Sequence, residues 1–145
     1  MTHFLFRGKT EDGSWVYGGV TAESHHFENK LQIVCVSDDE DGNPLAEFID
    51  IRPETLGCHF GAIGANDRKL FTGDIVFSKD DRKSYFVIAW IKEWGMFTSI
   101  LIDEYNRYLE KGIVGIDETY TLYFEAYEYA GNVFDNPHWR LYLEL

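Results

Sequence analysis

Residues 85–91 constrain the fold more than any other stretch, because this segment is apolar on both of its alternating faces. Its sequence, Tyr-Phe-Val-Ile-Ala-Trp-Ile, is rich in the β-branched and aromatic side chains that favour strands. A strand that is apolar on both faces is buried on both sides, so we expect it at the centre of a sheet or barrel. Residues 96–102 follow a Trp94-Gly95 turn and are predicted to pair with it as a hairpin.

Shorter alternating segments fill the first half of the chain and predict β-hairpins. Asp12-Gly13, a strong turn pair, separates candidate strands at residues 3–7 and 15–20. Two more candidates, residues 31–36 and 46–51, flank a polar loop. The loop carries four consecutive acids, Asp38, Asp39, Glu40 and Asp41.

The second half adds one predicted helix, at residues 103–111. Asp103 can cap its start and Gly112 can end it. Tyr105, Tyr108 and Leu109 have helical spacing and are expected on one face. The class is therefore mainly β, or α+β at most.

The segments between these elements are predicted from their turn residues and periodicity. Residues 55–69 contain three glycines and are predicted to be loop and turns, and residues 70–77 become extended. Residues 119–126 alternate as a strand whose period breaks near Ala126-Tyr127, which predicts a bulge or bend. A chain of 145 residues predicts one domain, residues 1–145, with Arg52-Pro53 as the one plausible division into 1–52 and 53–145.

The charge is strongly negative and unevenly distributed. The formal net charge is −12, and residues 1–50, 51–100 and 101–145 contribute −7, +1 and −6. This balance opposes a typical nucleic-acid binder, which carries a basic face, although the nearly neutral middle leaves local contact with a polyanion open. Aromatic residues make up 17% of the chain, which excludes a disordered acidic tail.

No pattern for a cofactor, metal or catalytic site stands out. If Gly42 were the sixth residue of a calcium loop, Ser37 and Phe48 would stand where carboxylates are needed. The adjacent pairs His25-His26 and Cys58-His59 point to opposite faces of a strand and chelate poorly. The two cysteines form no C-x-x-C pair and predict free thiols in a reducing cytosol, and no apolar run is long enough to span a bilayer.

Three tryptophans, Trp90, Trp94 and Trp139, belong either to the core or to a binding surface. Trp90 lies inside the predicted central strand and is expected in the core. For Trp94 and Trp139 the two interpretations are equally favoured, because exposed aromatic residues mark interfaces. The candidate interaction surface predicted from the sequence consists of Trp94, Trp139, Asp38, Asp39, Glu40 and Asp41.

Four motifs give the chain a resemblance to a known family. They are Phe6-Arg7-Gly8 with Trp15-Val16-Tyr17-Gly18, residues 55–61 (TLGCHFG), residues 69–76 (KLFTGDIV) and residues 130–137 (AGNVFDNP). Their order and spacing resemble the YopX family of phage and prophage proteins. The chain departs from the family pattern at four polar or turn positions, where it has Cys58, Phe60, Asp67 and Thr72. The residues read as structural within these motifs are Gly57, Gly61, Gly73, Asp74, Gly131, Asn132, Asn136 and Pro137.

The resemblance implies an SH3-like barrel in the second half and a tendency to self-associate, with no settled activity. With no catalytic pattern beside it, we expect a non-enzymatic accessory protein in the cytoplasm of a bacterial host. It would act as a protein–protein interaction module and homo-oligomer, without a cofactor or a membrane partner.

Two alternative functions remain open. An acidic protein could mimic DNA and occupy a basic, nucleic-acid-binding host protein. Alternatively, the second half could bind nucleic acid weakly through a patch of Lys79, Arg82, Lys83, Lys92 and Trp94.

Overall fold

A computed structural model describes residues 5–25, 28–78, 84–112, 119–120 and 127–136 of the chain. These residues divide into two units, with the division between Phe60 and Gly61. The mainly β class is confirmed, because each unit is built on an antiparallel sheet of five strands and the described residues contain one α-helix.

The first unit holds a sheet with the strand order β4-β3-β2-β1-β5. Its strands are β1 (Leu5–Lys9), β2 (Trp15–His25), β3 (Glu28–Asp38), β4 (Pro44–Asp50) and β5 (Gly57–His59). Both predicted hairpins are confirmed, since β1 pairs with β2 and β3 with β4. The short β5 falls where loop and turns were predicted, because its backbone pairs with β1 although its sequence has little strand preference.

The core of the first unit is small. Ile33 of β3 is fully buried and Ile51, directly after β4, is nearly so. Gly8 makes room for Ile51, since a Cβ on Gly8 would lie 2.3 Å from the Ile51 Cδ1 atom. The backbone N–H of Arg52 donates to the Lys9 carbonyl (2.8 Å), which anchors the chain after β4 to β1.

The second unit holds a sheet with the strand order β10-β6-β7-β8-β9. Its strands are β6 (Asp74–Ser78), β7 (Tyr85–Ile91), β8 (Met96–Leu101), β9 (Thr119–Tyr120) and β10 (Tyr127–Asn132). The strand predicted at residues 85–91 is confirmed as β7, with the same bounds and at the centre of the sheet. Within the described residues this sheet stays open between β9 and β10 and does not close into a barrel.

The helix α1 (Ile102–Lys111) packs on one face of the second sheet. Ile75, Val87 and Ile102 form one buried cluster, with Tyr105 packed against it. Ala89, Ile91 and Ile100 form a second cluster beneath Tyr108. These contacts bury the α1-facing side of β7. Phe86 and Ile88 on its other face are buried as well, so the strand is apolar on both faces.

Three expectations about the helix and its neighbourhood were wrong. The residue at the N-cap position is Leu101, not Asp103, and no side chain caps the first turn. Leu109 is 61% exposed, because only Tyr105 and Tyr108 of the predicted face reach the sheet. Trp90, expected in the core, is 45% exposed, since it lies one residue before the end of β7 on the face away from the helix clusters.

Candidate interaction surface

The most exposed apolar side chains of the first unit lie together on one face of the β3–β4 hairpin. Val34 pairs with Phe48, and Val36 pairs with Ala46. Directly opposed residues of antiparallel strands project from the same face, and so do residues two apart along one strand. These four residues, Val34, Val36, Ala46 and Phe48, are called the apolar face below. Val36 is 69% exposed and Phe48 is 58% exposed, although both sit in regular strands.

The opposite side of β4 is also open to solvent. Leu45 is 50% exposed and Glu47 is exposed, so Ile49 is the one residue of β4 that is partly buried. A strand that contributes almost nothing to a core has no packing reason to carry Leu45 and Phe48. These side chains therefore mark a surface that a partner could cover.

A glycine in β2 permits this part of the sheet to form. A Cβ on Gly18 would lie 2.1 Å from the carbonyl oxygen of Val34, which no other residue could tolerate without a shift of backbone. The Cys35 thiol donates to the Tyr17 carbonyl at 3.2 Å, beside the same crossing. Close approach of two backbones is a recognised reason for glycine within a strand.

The acidic run lies in the turn between β3 and β4. The Asp39 carboxylate accepts the backbone N–H groups of Asp41 (2.9 Å) and Asn43 (2.8 Å). These hydrogen bonds, led by the one from Asn43, hold the pKa of Asp39 below its ordinary value. The Asp39 carboxylate therefore stabilises the turn, while Asp38, Glu40 and Asp41 are exposed to solvent.

Negative charge extends from this turn along β4. Between residues 31 and 51 there are six acids, and no Lys, Arg or His. Glu47 and Asp50 supply the two that lie in β4, and the Asp50 carboxylate accepts a hydrogen bond from the Gln32 side chain (2.7 Å). The apolar face thus lies in a part of the hairpin, residues 31–51, whose charged groups are all negative.

The second unit has its own exposed aromatic group, at the β7–β8 turn. Trp90 and Phe97 pair across the strands with ring centroids 4.7 Å apart, and Trp94 in the turn is 45% exposed. Lys92 of the proposed nucleic-acid patch is exposed in the same turn, next to Glu93. The other basic residues of that patch, Lys79, Arg82 and Lys83, lie outside the described residues, as does Trp139.

The motif residues of β5 and of the segment leading into β6 occupy closely packed or conformationally restricted positions. Gly73 has φ +91°, and a Cβ there would lie 3.0 Å from the Phe134 ring. Asp74 is fully buried, and its carboxylate accepts the backbone N–H of Phe71 at 2.7 Å. Gly57 is buried opposite Arg7, and Gly61 has φ +98°.

The residues after β10 form a compact hydrogen-bonded turn. Asn132 is 2% exposed, and its side-chain oxygen accepts the N–H groups of Phe134 (3.0 Å) and Asp135 (2.8 Å). The Asn136 side-chain oxygen accepts the Asn132 N–H at 3.0 Å. A Cβ on Gly131 would lie 2.3 Å from that same oxygen, so the glycine and Asn136 depend on each other. Pro137 lies outside the described residues.

The setting of Cys58 is unfavourable for nucleophilic chemistry. Burial raises the pKa of the Cys58 thiol, whereas nucleophilic cysteines have a lowered pKa. Within the described residues no three His, Cys, Asp or Glu side chains group as metal ligands.

A comparison with protein-family models decides the classification. The model described as YopX protein matches residues 5–139. The chain belongs to the YopX family. The match spans both units of this YopX-family protein and includes all four motifs noted in its sequence. It indicates a phage-type protein and assigns it no activity. No curated protein matches the chain.

Membrane crossing by a helix has no support in this YopX-family protein. Its described part contains no helix with the length and apolar character needed to span a bilayer.

The apolar face is the feature that the sequence analysis missed. Residues 46–51 were predicted as a strand, but Phe48 and Ile49 give that strand apolar side chains on both faces, as in a buried one. Exposure depends on β4 being at the edge of the sheet, and strand order is a long-range property. The four acids of the predicted surface lie on this hairpin, whereas Trp94 lies in the second unit.

Proposed function

We propose that this YopX-family protein is a non-enzymatic protein–protein interaction module of a phage or prophage, which acts in the cytoplasm of the bacterial host. The observation that carries the proposal is the exposure of Val36 and Phe48 within regular strands. Contiguous exposed apolar groups are unfavourable in water unless a partner covers them, so they mark interaction surfaces. The raised pKa of the Cys58 thiol adds support, since it argues against nucleophilic chemistry at this cysteine.

The test removes the apolar face and keeps the fold. The double variant Val36→Ser, Phe48→Ser replaces two exposed side chains. Its free energy of unfolding should therefore lie within about 1 kcal/mol of the wild-type value. Tagged wild type and variant would be used to capture proteins from host lysate, with each band quantified. We expect the double variant to lose the partner that the wild type retains.

The matched control is Trp94→Ser, which removes an exposed apolar side chain from the other unit. It should retain the partner of the wild type. Equal capture by the wild type and the double variant, with both folded, would contradict the role of the apolar face.

Self-association is a separate part of the proposal and follows from the family resemblance. Static light scattering at tens of micromolar should give a mass of at least twice the 16.9 kDa of the chain. A monomer at that concentration would refute this part and leave the apolar face to a different protein.

A second candidate function is inhibition of a basic host protein by charge mimicry. The six acids and absence of bases between residues 31 and 51 favour it, because such a field attracts cationic partners. Capture from host lysate at low and high salt tests it. We expect to recover a basic, DNA-binding protein at low salt and to lose it at high salt. Failure to recover such a protein at low salt would contradict charge mimicry.

A further inference from the structure

The hydrogen-bond register of the β3–β4 hairpin determines which backbone groups of β4 face outward. The N–H of Ile51 donates to the Leu31 carbonyl (3.2 Å), and the N–H of Asp39 donates to the Asn43 carbonyl (2.8 Å). In an antiparallel ladder, hydrogen-bonded and non-hydrogen-bonded pairs alternate along the strand. Counting from Asn43 and from Ile51 gives the same result: the odd-numbered residues of β4 bond to β3.

The even-numbered residues therefore direct their backbone groups away from β3. Ala46 and Phe48 each present one N–H and one C=O at the outer side of β4. In the described part of the chain, β4 ends its sheet on that side. The same two residues carry their side chains on the apolar face. At these two residues alone, the edge thus offers two backbone donors, two backbone acceptors and an apolar surface beside them.

An open edge of this kind could pair with a second copy of the chain, and charge argues against that occupant. A symmetric β4–β4 pair centred on Glu47 would set two carboxylates directly opposite each other, which is destabilising. Any pairing of two hairpins also brings together two sets of six acids with no base between residues 31 and 51. Charged residues on an edge strand are a common defence against self-pairing.

The same charges favour an occupant of opposite sign. We propose that the outer edge of β4 binds an extended, Lys- or Arg-containing polypeptide segment as an added strand. This rests on the proposed function, because it names the partner chemistry of the same hairpin. In an added strand, residues opposite Ala46 and Phe48 project over the apolar face, and the residue opposite Glu47 projects from the other side. The preferred segment therefore alternates apolar and basic residues.

The proposal is tested with a defined peptide. The probe is a fluorescein-labelled heptapeptide of alternating Val and Lys with both termini blocked, titrated with the full-length protein and followed by fluorescence anisotropy. We expect saturable binding at low salt. A peptide with Glu in place of every Lys should not bind. N-methylation of the backbone amides on one edge should weaken binding by about tenfold or more, because two edge hydrogen bonds are lost.

The protein variant for the same test is Ala46→Pro, which removes one outward N–H. Proline is tolerated at an edge where its N–H would face solvent, and circular dichroism would verify that the fold is kept. Ala46→Ser is the matched control, because it retains the N–H. We expect Ala46→Pro to weaken peptide binding well beyond any effect of Ala46→Ser. A second variant, Glu47→Gln, should weaken binding of the Val/Lys peptide and leave the backbone groups of the β4 edge in place.

Four results would overturn the proposal. Equal binding of methylated and unmethylated peptides would mean attraction by charge alone. Undiminished binding by a folded Ala46→Pro variant would place the peptide elsewhere. A wild-type dimer that Ala46→Pro abolishes would show that a second copy occupies the edge. If the peptide does not bind while capture from lysate still depends on Val36 and Phe48, strand addition fails and the interaction module stands.

Discussion

The two sheets of this protein have the same number of strands, but they differ in how far other side chains and elements bury those strands. In the second sheet, β7 is buried along most of its length, and α1 covers one of its faces. In the first sheet, β4 is exposed on both faces apart from Ile49. Both strands carry apolar side chains, but those of β7 fill a core and those of β4 face solvent. Apolar sequence alone therefore does not distinguish a strand that stabilises the fold from one that is available to a partner.

The largest expected effect comes from comparing a buried residue of the second sheet, Ile100, with an exposed residue of the first sheet, Phe48. Ile100 is fully buried in the cluster beneath Tyr108, so Ile100→Ala should lower the free energy of unfolding by about 2–5 kcal/mol. Phe48→Ala removes a larger side chain but leaves no cavity, and should cost below about 1 kcal/mol. Urea unfolding followed by circular dichroism measures both. Similar losses for the two variants would mean that the apolar face is part of a core.

The sequence predicted the elements whose physics is local. Residues 85–91 and the helix after residue 102 were recognisable because their apolar patterns match the period of a strand or a helix. β5 was missed because Gly57, Cys58 and His59 form a strand only through pairing with β1. The exposure of Trp90 and Phe48 was missed for a related reason, since it depends on which faces and edges other elements leave uncovered.

A second prediction concerns backbone packing in the first sheet. Gly18→Ala places a Cβ 2.1 Å from the Val34 carbonyl oxygen, so β2 and β3 must move apart. We expect a loss of about 1–3 kcal/mol in unfolding free energy, typical of overpacking. Gly19→Ala is the matched control, because a Cβ there meets nothing within 4 Å. The idea fails if the two alanine variants have equal melting curves.

Two turn residues of the second unit, both with positive φ, give a smaller effect. Asp67 has φ +58°, in the left-handed region that glycine adopts at little cost. Asp67→Gly should therefore leave stability unchanged or raise it by up to about 1 kcal/mol. Gly61→Ala, at φ +98°, is the reverse substitution and should be destabilising. Thermal unfolding measures both, and a marked loss for Asp67→Gly would show that the Asp67 side chain supports the turn.

The turn of the first unit depends on a side chain, and this gives the smallest effect. The Asp39 carboxylate accepts two backbone N–H groups, so its pKa is lowered in the folded protein. A lowered folded pKa contributes stability that is present above the unfolded value of about 3.9 and is lost as the pH falls through the folded pKa. In an NMR titration, the amide protons of Asp41 and Asn43 should therefore shift with a midpoint below about 3.9. Asp39→Ala should abolish this shift, and Glu40→Ala, in the same turn, should preserve it. A midpoint at or above the ordinary aspartate value would mean that the carboxylate does not hold the turn, and that the β3–β4 hairpin is ordered by strand pairing alone.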